Sequence, residues 1–160
     1  MPKSKLTGDA GELYVAYMLS RFGYIAALVR DGAPVVDILA TNGDASQTIG
    51  IQVKTTQNAV RTRGRSPNKV PHEVQFPLGH KAVEKSSPDL FFCFVDLRGD
   101  DDQTRPDVYV IPGAAIIDHY SGMDIRQHSY FRFHWPIEKV APYKNDWTPI
   151  KKALGTPFGA

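Results

Sequence analysis

The chain lacks most of the residue patterns that would decide its function at a glance. It has one cysteine, Cys93, among 160 residues. No intrachain disulfide can form, and paired cysteine ligands for zinc are excluded. The longest apolar run is the seven residues Leu13 to Leu19, followed by runs of six such as Leu90 to Val95, far short of the roughly 20 that cross a bilayer. Lys3 and Lys5 near the start have no apolar stretch behind them. No signal peptide is expected, and the expected setting is cytoplasmic with no membrane partner. There is no glycine-rich phosphate loop, no nucleophile elbow and no histidine pair at metal-ligand spacing. The histidines are scattered, at His72, His80, His119, His128 and His134. Repeats, low-complexity segments and linkers are also missing. Residues 1–160 are therefore expected to form a single domain, long enough to bury roughly 70% of its unfolded surface.

Charge is nearly balanced, with a net value of +2, but the balance is a sum of unlike parts. Residues 51–85 carry net +5 and residues 86–110 carry net −4. From Lys54 to His72 there are five cations, Lys54, Arg61, Arg63, Arg65 and Lys69, and no acid. Such a stretch suits either a solvated loop or a polyanion footprint.

The periodicities predict a mixed α/β chain. Thr7 reads as the N-cap of a helix through Phe22, with Asp9 in its first turn and Gly23 as its stop. Within it Glu12 shares a face with Ala16 and Leu19, so it should lie against the fold. Strands are expected at Tyr24–Val29, Val35–Ala40 and Thr48–Thr56, the last two joined by a hairpin signalled by Asn42-Gly43. Residues 58–72 lack apolar periodicity and read as a loop. A short helix at Gly79–Ser86, a buried strand at Leu90–Leu97 and its partner at Val108–Ile111 follow. Pro112 suits position N1 of a helix to Tyr120. Tyr130–Trp135 alternates polar and aromatic residues as a strand does. A short amphipathic helix anchored by Trp147 closes the chain. The Asp100-Asp101-Asp102 run reads as a solvated hairpin tip, since it lacks the ordered spacing of a calcium loop.

One constellation carries chemistry. Gln52 and Lys54 are two apart in a strand and share a face. A hairpin centred between Asp44 and Ala45 sets Asp37 opposite Gln52, and opposed residues point to the same side of the sheet. Asp37, Gln52 and Lys54 then cluster, with Ile49, Ile51 and Val53 turned into the core. A carboxylate and a carbonyl oxygen are hard ligands suited to Mg²⁺ or Mn²⁺. A lysine beside them can orient a water and stabilise charge on a phosphate. Glu12 can reach the same place from the first helix. That chemistry is phosphodiester hydrolysis.

The stretches Gly-Glu-Leu-Tyr-Val-Ala-Tyr-Met-Leu-Ser-Arg-Phe-Gly-Tyr, Val-Asp-Ile-Leu-Ala and Ile-Gln-Val-Lys-Thr-Thr, spanning residues 8–57, resemble the PD-(D/E)XK nuclease superfamily. Their order is most similar to archaeal Holliday junction resolvases. The resemblance implies a restriction-endonuclease-like mixed β-sheet flanked by helices, an αβββαβ core with extra C-terminal β/α elements. It implies a Mg²⁺-dependent DNA endonuclease; a homodimer is expected because two strands need two sites, and a structure-specific or weakly sequence-specific enzyme is expected from the basic segment rather than from the resemblance. The resemblance places Glu12, Asp37, Gln52 and Lys54 at catalytic positions. Asp37, Gln52 and the backbone carbonyl of Val53 would be metal ligands, with Glu12 a further one directly or through water.

Two departures from the family pattern are visible. Gln52 stands where an acid is usual, which removes a negative charge from the metal site. Pro34 is not adjacent to Asp37. Past residue 57 nothing matches a particular subfamily. In such a fold Arg61, Arg63, Arg65 and Lys69 leave beside the site, with Lys81 and Lys85 extending the strip and Lys151 and Lys152 joining it from the tail. Contacts of this kind position a nucleic acid, DNA (branched forms included) or RNA, without reading its sequence. The acidic block at 86–110 should then lie away from DNA. The alternative is a non-catalytic nucleic-acid-binding or interaction module on the same fold.

Overall fold

The computed structural model describes residues 3–30, 33, 35–127 and 132–159. Helix α1 (Lys3–Arg21) buries Gly11, Val15, Met18 and Leu19 along one stripe, the spacing of a helix face turned to a core. It starts earlier than the sequence suggests. Thr7 lies inside it and donates its hydroxyl to the Lys3 carbonyl at 3.0 Å, the back-bond that an interior threonine makes in place of a cap. At the other end Gly23 takes φ 87°, and the Tyr24 N–H bonds the Leu19 carbonyl at 3.0 Å. That left-handed turn costs a glycine little.

Strands β1 (Ile25–Leu28), β2 (Ile38–Thr41) and β3 (Thr48–Thr56) form an antiparallel run. Ile38 faces Ile51 and Thr41 faces Thr48, so the hairpin is centred between Asp44 and Ala45 as expected. The left-handed residue in its loop is Ala45, at φ 58°. Asn42 closes the loop by accepting the Gln47 N–H on its side chain at 3.0 Å.

After β3 come β4 (Val60–Arg63) and β5 (Val70–Pro77), paired antiparallel with a bulge between Arg61 and Thr62. The expected loop at 58–72 is thus a two-stranded ribbon. Arg63 to Val70 are all exposed, so its outer half leaves no apolar stripe to read. Helix α2 (His80–Glu84) leads to β6 (Leu90–Asp96), which pairs parallel with β3, and then to β7 (Asp107–Pro112), antiparallel to β6. Helix α3 (Gly113–Tyr120) follows, with Pro112 as N-cap rather than first helical residue. Strand β8 (Arg132–Pro136) buries Phe133 and Trp135 and exposes Arg132 and His134. Tyr130 and Phe131, expected in that strand, and Pro34 and His128 lie outside the described residues. Helices α4 (Ile137–Val140) and α5 (Thr148–Leu154) end the chain, the latter with Trp147 buried at its N-cap.

The main sheet has the order β1-β2-β3-β6-β7, and a second sheet has the order β4-β5-β8. The order α1-β1-β2-β3-α2-β6 is the expected αβββαβ core, with the β4–β5 ribbon inserted. Every residue of β6 is buried, because both faces of the main sheet are covered. One face packs Ile51, Val53, Cys93 and Val95 against Val15, Leu19, Ile150 and Leu154 of α1 and α5. The other packs Phe92, Phe94 and Ile111 against Phe76, Phe133 and Trp135 of the second sheet. The Phe94 and Phe133 rings stack at 4.2 Å between centroids. Gly11 lets α1 settle onto β3, since a Cβ there would run into the Thr55 side chain. Among the described residues no helix is long and apolar enough to cross a membrane.

Candidate active site

Asp37 stands one residue ahead of β2, not within it. Its N–H donates to the Ile51 carbonyl at 2.9 Å, and its carbonyl accepts the Val29 N–H at 2.8 Å. Its carboxylate Oδ2 accepts the Val53 N–H at 2.7 Å. Ile51 and Val53 are two apart, so their backbone groups face the same edge of β3. The Asp37 carboxylate therefore takes the place that the next residue of a longer β2 would fill, and the ladder stops there. The Val53 carbonyl opens onto the same edge. Burial pushes the Asp37 carboxyl up from its ordinary range, opposed first by the Val53 N–H and then by the positive charge of Lys54.

Gln52 and Lys54 lie on the face of β3 turned to the second sheet, paired with Phe92 and Phe94 of β6. Both line a cleft of about 930 Å³ whose walls include Ser4 and Gly8 of α1, Pro77 to Gly79, and α2. Gln52 is 5% exposed, and its Oε1 is buried with no hydrogen-bond partner. A buried carbonyl oxygen left unpaired is costly, so Gln52 Oε1 is an acceptor open to a ligand or a water, as Thr55 Oγ1 and Gln57 Oε1 further along are. Asp37 does not line this cleft; it sits at the strand edge behind Val53. Glu12 is half-buried on the helix stripe of Ser4 and Gly8, one turn further from the helix start.

The structure divides the expected basic strip. Arg61 is committed locally, donating to the Gln75 side chain at 3.3 Å and to the Asn58 carbonyl at 2.9 Å. Arg63, Arg65 and Lys69 are exposed at the far end of the ribbon. Pro77, at its base, lines the cleft. The seven residues from there to Val70 place the tip about 23 Å away. Lys81 lines the cleft, whereas Lys85 is exposed outside its walls. Lys151 and Lys152 do not join the strip. Lys151 sits 4.0 Å over the Phe22 ring, at the end of α1 remote from Gly8 by about 20 Å. The acidic block is not remote either. Asp96 and Asp107 are buried, with Arg98 and Lys144 at 3.6 and 3.1 Å from Asp107. The Asp100–Asp102 turn follows Gly99, whose N–H bonds the Gln57 carbonyl at 2.8 Å, just past the end of β3. Asp101 spends its carboxylate on Gln103 and Thr104 of its own turn.

Three cleft residues escaped the sequence reading: His80, Glu84 and Arg126. Arg126 donates through Nε to Glu84 Oε1 at 2.6 Å. No local pattern announces a pair so far apart in the chain. Among the described residues no group of three or more His, Cys, Asp or Glu side chains is placed to hold a metal. One acid and two neutral oxygen donors nonetheless belong to this stretch: the Asp37 carboxylate, which accepts the Val53 N–H, the Val53 carbonyl and Gln52 Oε1 next in the strand.

No protein-family profile matches the chain, and no curated protein matches it in sequence. Among solved structures, it is similar to Hjc, a Holliday junction resolvase from the archaeal hyperthermophile Archaeoglobus fulgidus, determined at 1.6 Å. The match has a TM-score of 0.50 and 16% identity, and covers 93% of this chain and 98% of that one. At this identity the likeness is one of fold. The mixed sheet flanked by helices is the restriction-endonuclease-like fold.

Proposed function

We propose that this chain is a nuclease of the PD-(D/E)XK superfamily that hydrolyses DNA phosphodiester bonds with Mg²⁺ or Mn²⁺. Its preference would be for structure, or only weakly for sequence. The observation that carries the reading is the buried, unpartnered Gln52 Oε1 beside the edge shared by Asp37 and Val53. These oxygens fit Mg²⁺, which commonly binds one or two carboxylates plus substrate phosphate and keeps several waters. Asp37, Gln52 and the Val53 carbonyl would hold the ion, with Glu12 approaching from α1 directly or through water. When bound, the ion polarises the phosphate and makes a water acidic enough to attack.

The chain's own residues do the rest. The Val53 N–H fixes the Asp37 carboxylate in one orientation. The Lys54 ammonium, in the cleft, orients the attacking water and stabilises charge developing on the phosphate oxygens. Arg63, Arg65 and Lys69 at the ribbon tip, with Lys81 in the cleft, hold the DNA backbone. A duplex has two strands, so a homodimer supplies two sites.

The test is nicking of supercoiled, branched and single-stranded DNA in Mg²⁺ or Mn²⁺, with RNA alongside. Asp37→Ala and Lys54→Ala should abolish cleavage while leaving DNA binding in place. Removing one such electrostatic donor costs about 10²–10³ in rate. If the wild type cleaves nothing yet binds DNA as its variants do, the non-catalytic binding module replaces the nuclease.

A further inference from the structure

We infer that Arg126 is a phosphate-positioning residue of the cleft, held for that task by Glu84. The inference rests on the nuclease reading and adds a contact that the motif residues do not supply. Glu84, Lys81 and His80 share the cleft-facing side of α2, at helical spacings of three and four, and all line the cleft with Arg126. Glu84 takes only the Nε–H of Arg126. The Arg126 side chain is otherwise 76% exposed. A guanidinium has five N–H donors in a planar fork, so the two terminal amino groups remain to grip two oxygens of one phosphate. The bond to Glu84 removes rotamer freedom that a loose arginine would lose on binding, and this preorganises the contact. Arg126 draws the Glu84 carboxyl below its usual range, helped by the charges of His80 and Lys81. The carboxylate therefore stays charged and keeps its hold wherever DNA binds.

A competing arrangement is chemically possible on the same atoms. Glu84 would then neutralise Arg126 and keep it from DNA. The two differ in sign, and a double-mutant cycle reads the sign. Affinity of a labelled DNA duplex is measured by anisotropy in Ca²⁺, without Mg²⁺, across a salt series. The proteins are wild type, Arg126→Ala, Glu84→Ala and the double variant. Each phosphate contact contributes about 0.9 to the log–log salt slope, so losing one weakens binding about eightfold near 0.1 M salt and much less near 1 M.

The proposal expects that loss for Arg126→Ala in the wild-type background, and a smaller one once Glu84 is gone. Arg126→Lys should keep the slope but recover only part of the affinity, since it lacks the fork. The proposal is overturned if Arg126→Ala changes neither affinity nor slope in the wild-type background. It is equally overturned if the cost emerges only after Glu84→Ala, because Glu84 is then a neutraliser. A wild type that binds no DNA would instead refute the nuclease reading beneath it. Both side chains are on the surface of the cleft, and matching thermal midpoints verify that the variants fold alike.

Discussion

Replacing Asp37 by Asn separates what the carboxylate does for the fold from what it does for the site. Asn keeps an oxygen to accept the Val53 N–H, which Asp37 accepts at 2.7 Å, and removes only the charge. Ala removes the acceptor and leaves a part-buried N–H unpaired, at about 1–3 kcal/mol. Burial pushes the Asp37 carboxyl up in the folded state, outweighing the Val53 N–H and Lys54. The folded chain therefore holds this proton more tightly than the unfolded one. The stability this lends is complete below the ordinary carboxylate range and is lost as pH rises through the raised folded value. Above that value the wild type bears a charge penalty that Asp37→Asn does not. Without divalent ions at neutral pH, Asp37→Ala should fall about 2 kcal/mol below Asp37→Asn, and Asp37→Asn should match or exceed the wild type in stability. Its margin over the wild type should shrink as pH drops. Mg²⁺ reverses the order. At ten times its dissociation constant a ligand adds about 1.4 kcal/mol, or about 3–5 °C for a chain of this size, and only the protein with a charged Asp37 should gain it. Thermal unfolding from pH 4 to 8, with and without Mg²⁺, measures every part. The reasoning fails if Asp37→Asn is destabilised as much as Asp37→Ala, or if Mg²⁺ stabilises Asp37→Asn as it does the wild type.

Three further outcomes are expected. Gln52→Glu buries a carboxylate where Gln52 is 5% exposed, which should lower stability without divalent ions; in exchange its Mg²⁺-dependent rise in thermal midpoint should exceed the wild type's, and an equal rise counts against Gln52 as a ligand. Replacing Arg63, Arg65 and Lys69 together by Ala should lower the salt slope of DNA binding by about 2.7, and an unchanged slope would remove the ribbon tip from the interface. Gly11→Ala drives a Cβ into the Thr55 side chain, and this overpacking should cost about 1–3 kcal/mol in thermal unfolding; an unchanged midpoint would show that α1 does not rest on β3 as described.

Legibility in the sequence followed burial. The β2–β3 register was readable because Ile49, Ile51 and Val53 alternate with Gly50, Gln52 and Lys54, and one residue of slip would turn the apolar set outward. The all-apolar β6 was readable because only a strand covered on both faces tolerates such a run. The β4–β5 ribbon was not, since Arg63 to Val70 bury nothing and so impose no period. The start of α1 was misplaced for a related reason. A threonine that caps a helix and one that back-bonds inside it are the same letter, and only the four residues before Thr7 distinguish them. Strand parity put Gln52 and Lys54 on one face, and both line the cleft; it also set Asp37 beside them, whereas Asp37 turns to the strand edge and the Val53 N–H, because parity assigns faces and says nothing of where a strand stops. Arg126, in the turn Ile125–Gln127 beyond α3, meets Glu84 of α2 across 42 residues of chain, a contact with no local signature.

The charge pattern gains a direction once Gln57 is located. The chain leaving β3 passes this residue before entering the basic ribbon at Val60, and the Gln57 carbonyl is also the anchor for the turn that carries Asp100, Asp101 and Asp102. The basic ribbon and the acidic turn thus meet the same end of β3. A backbone lying along the ribbon and α2 meets Arg63, Arg65, Lys69, Lys81 and Arg126. One crossing Gln57 toward β7 meets the three aspartates. Nucleic acid bound as proposed would therefore lie along the ribbon and α2, and would enter the cleft lined by Gln52 and Lys54 from that side.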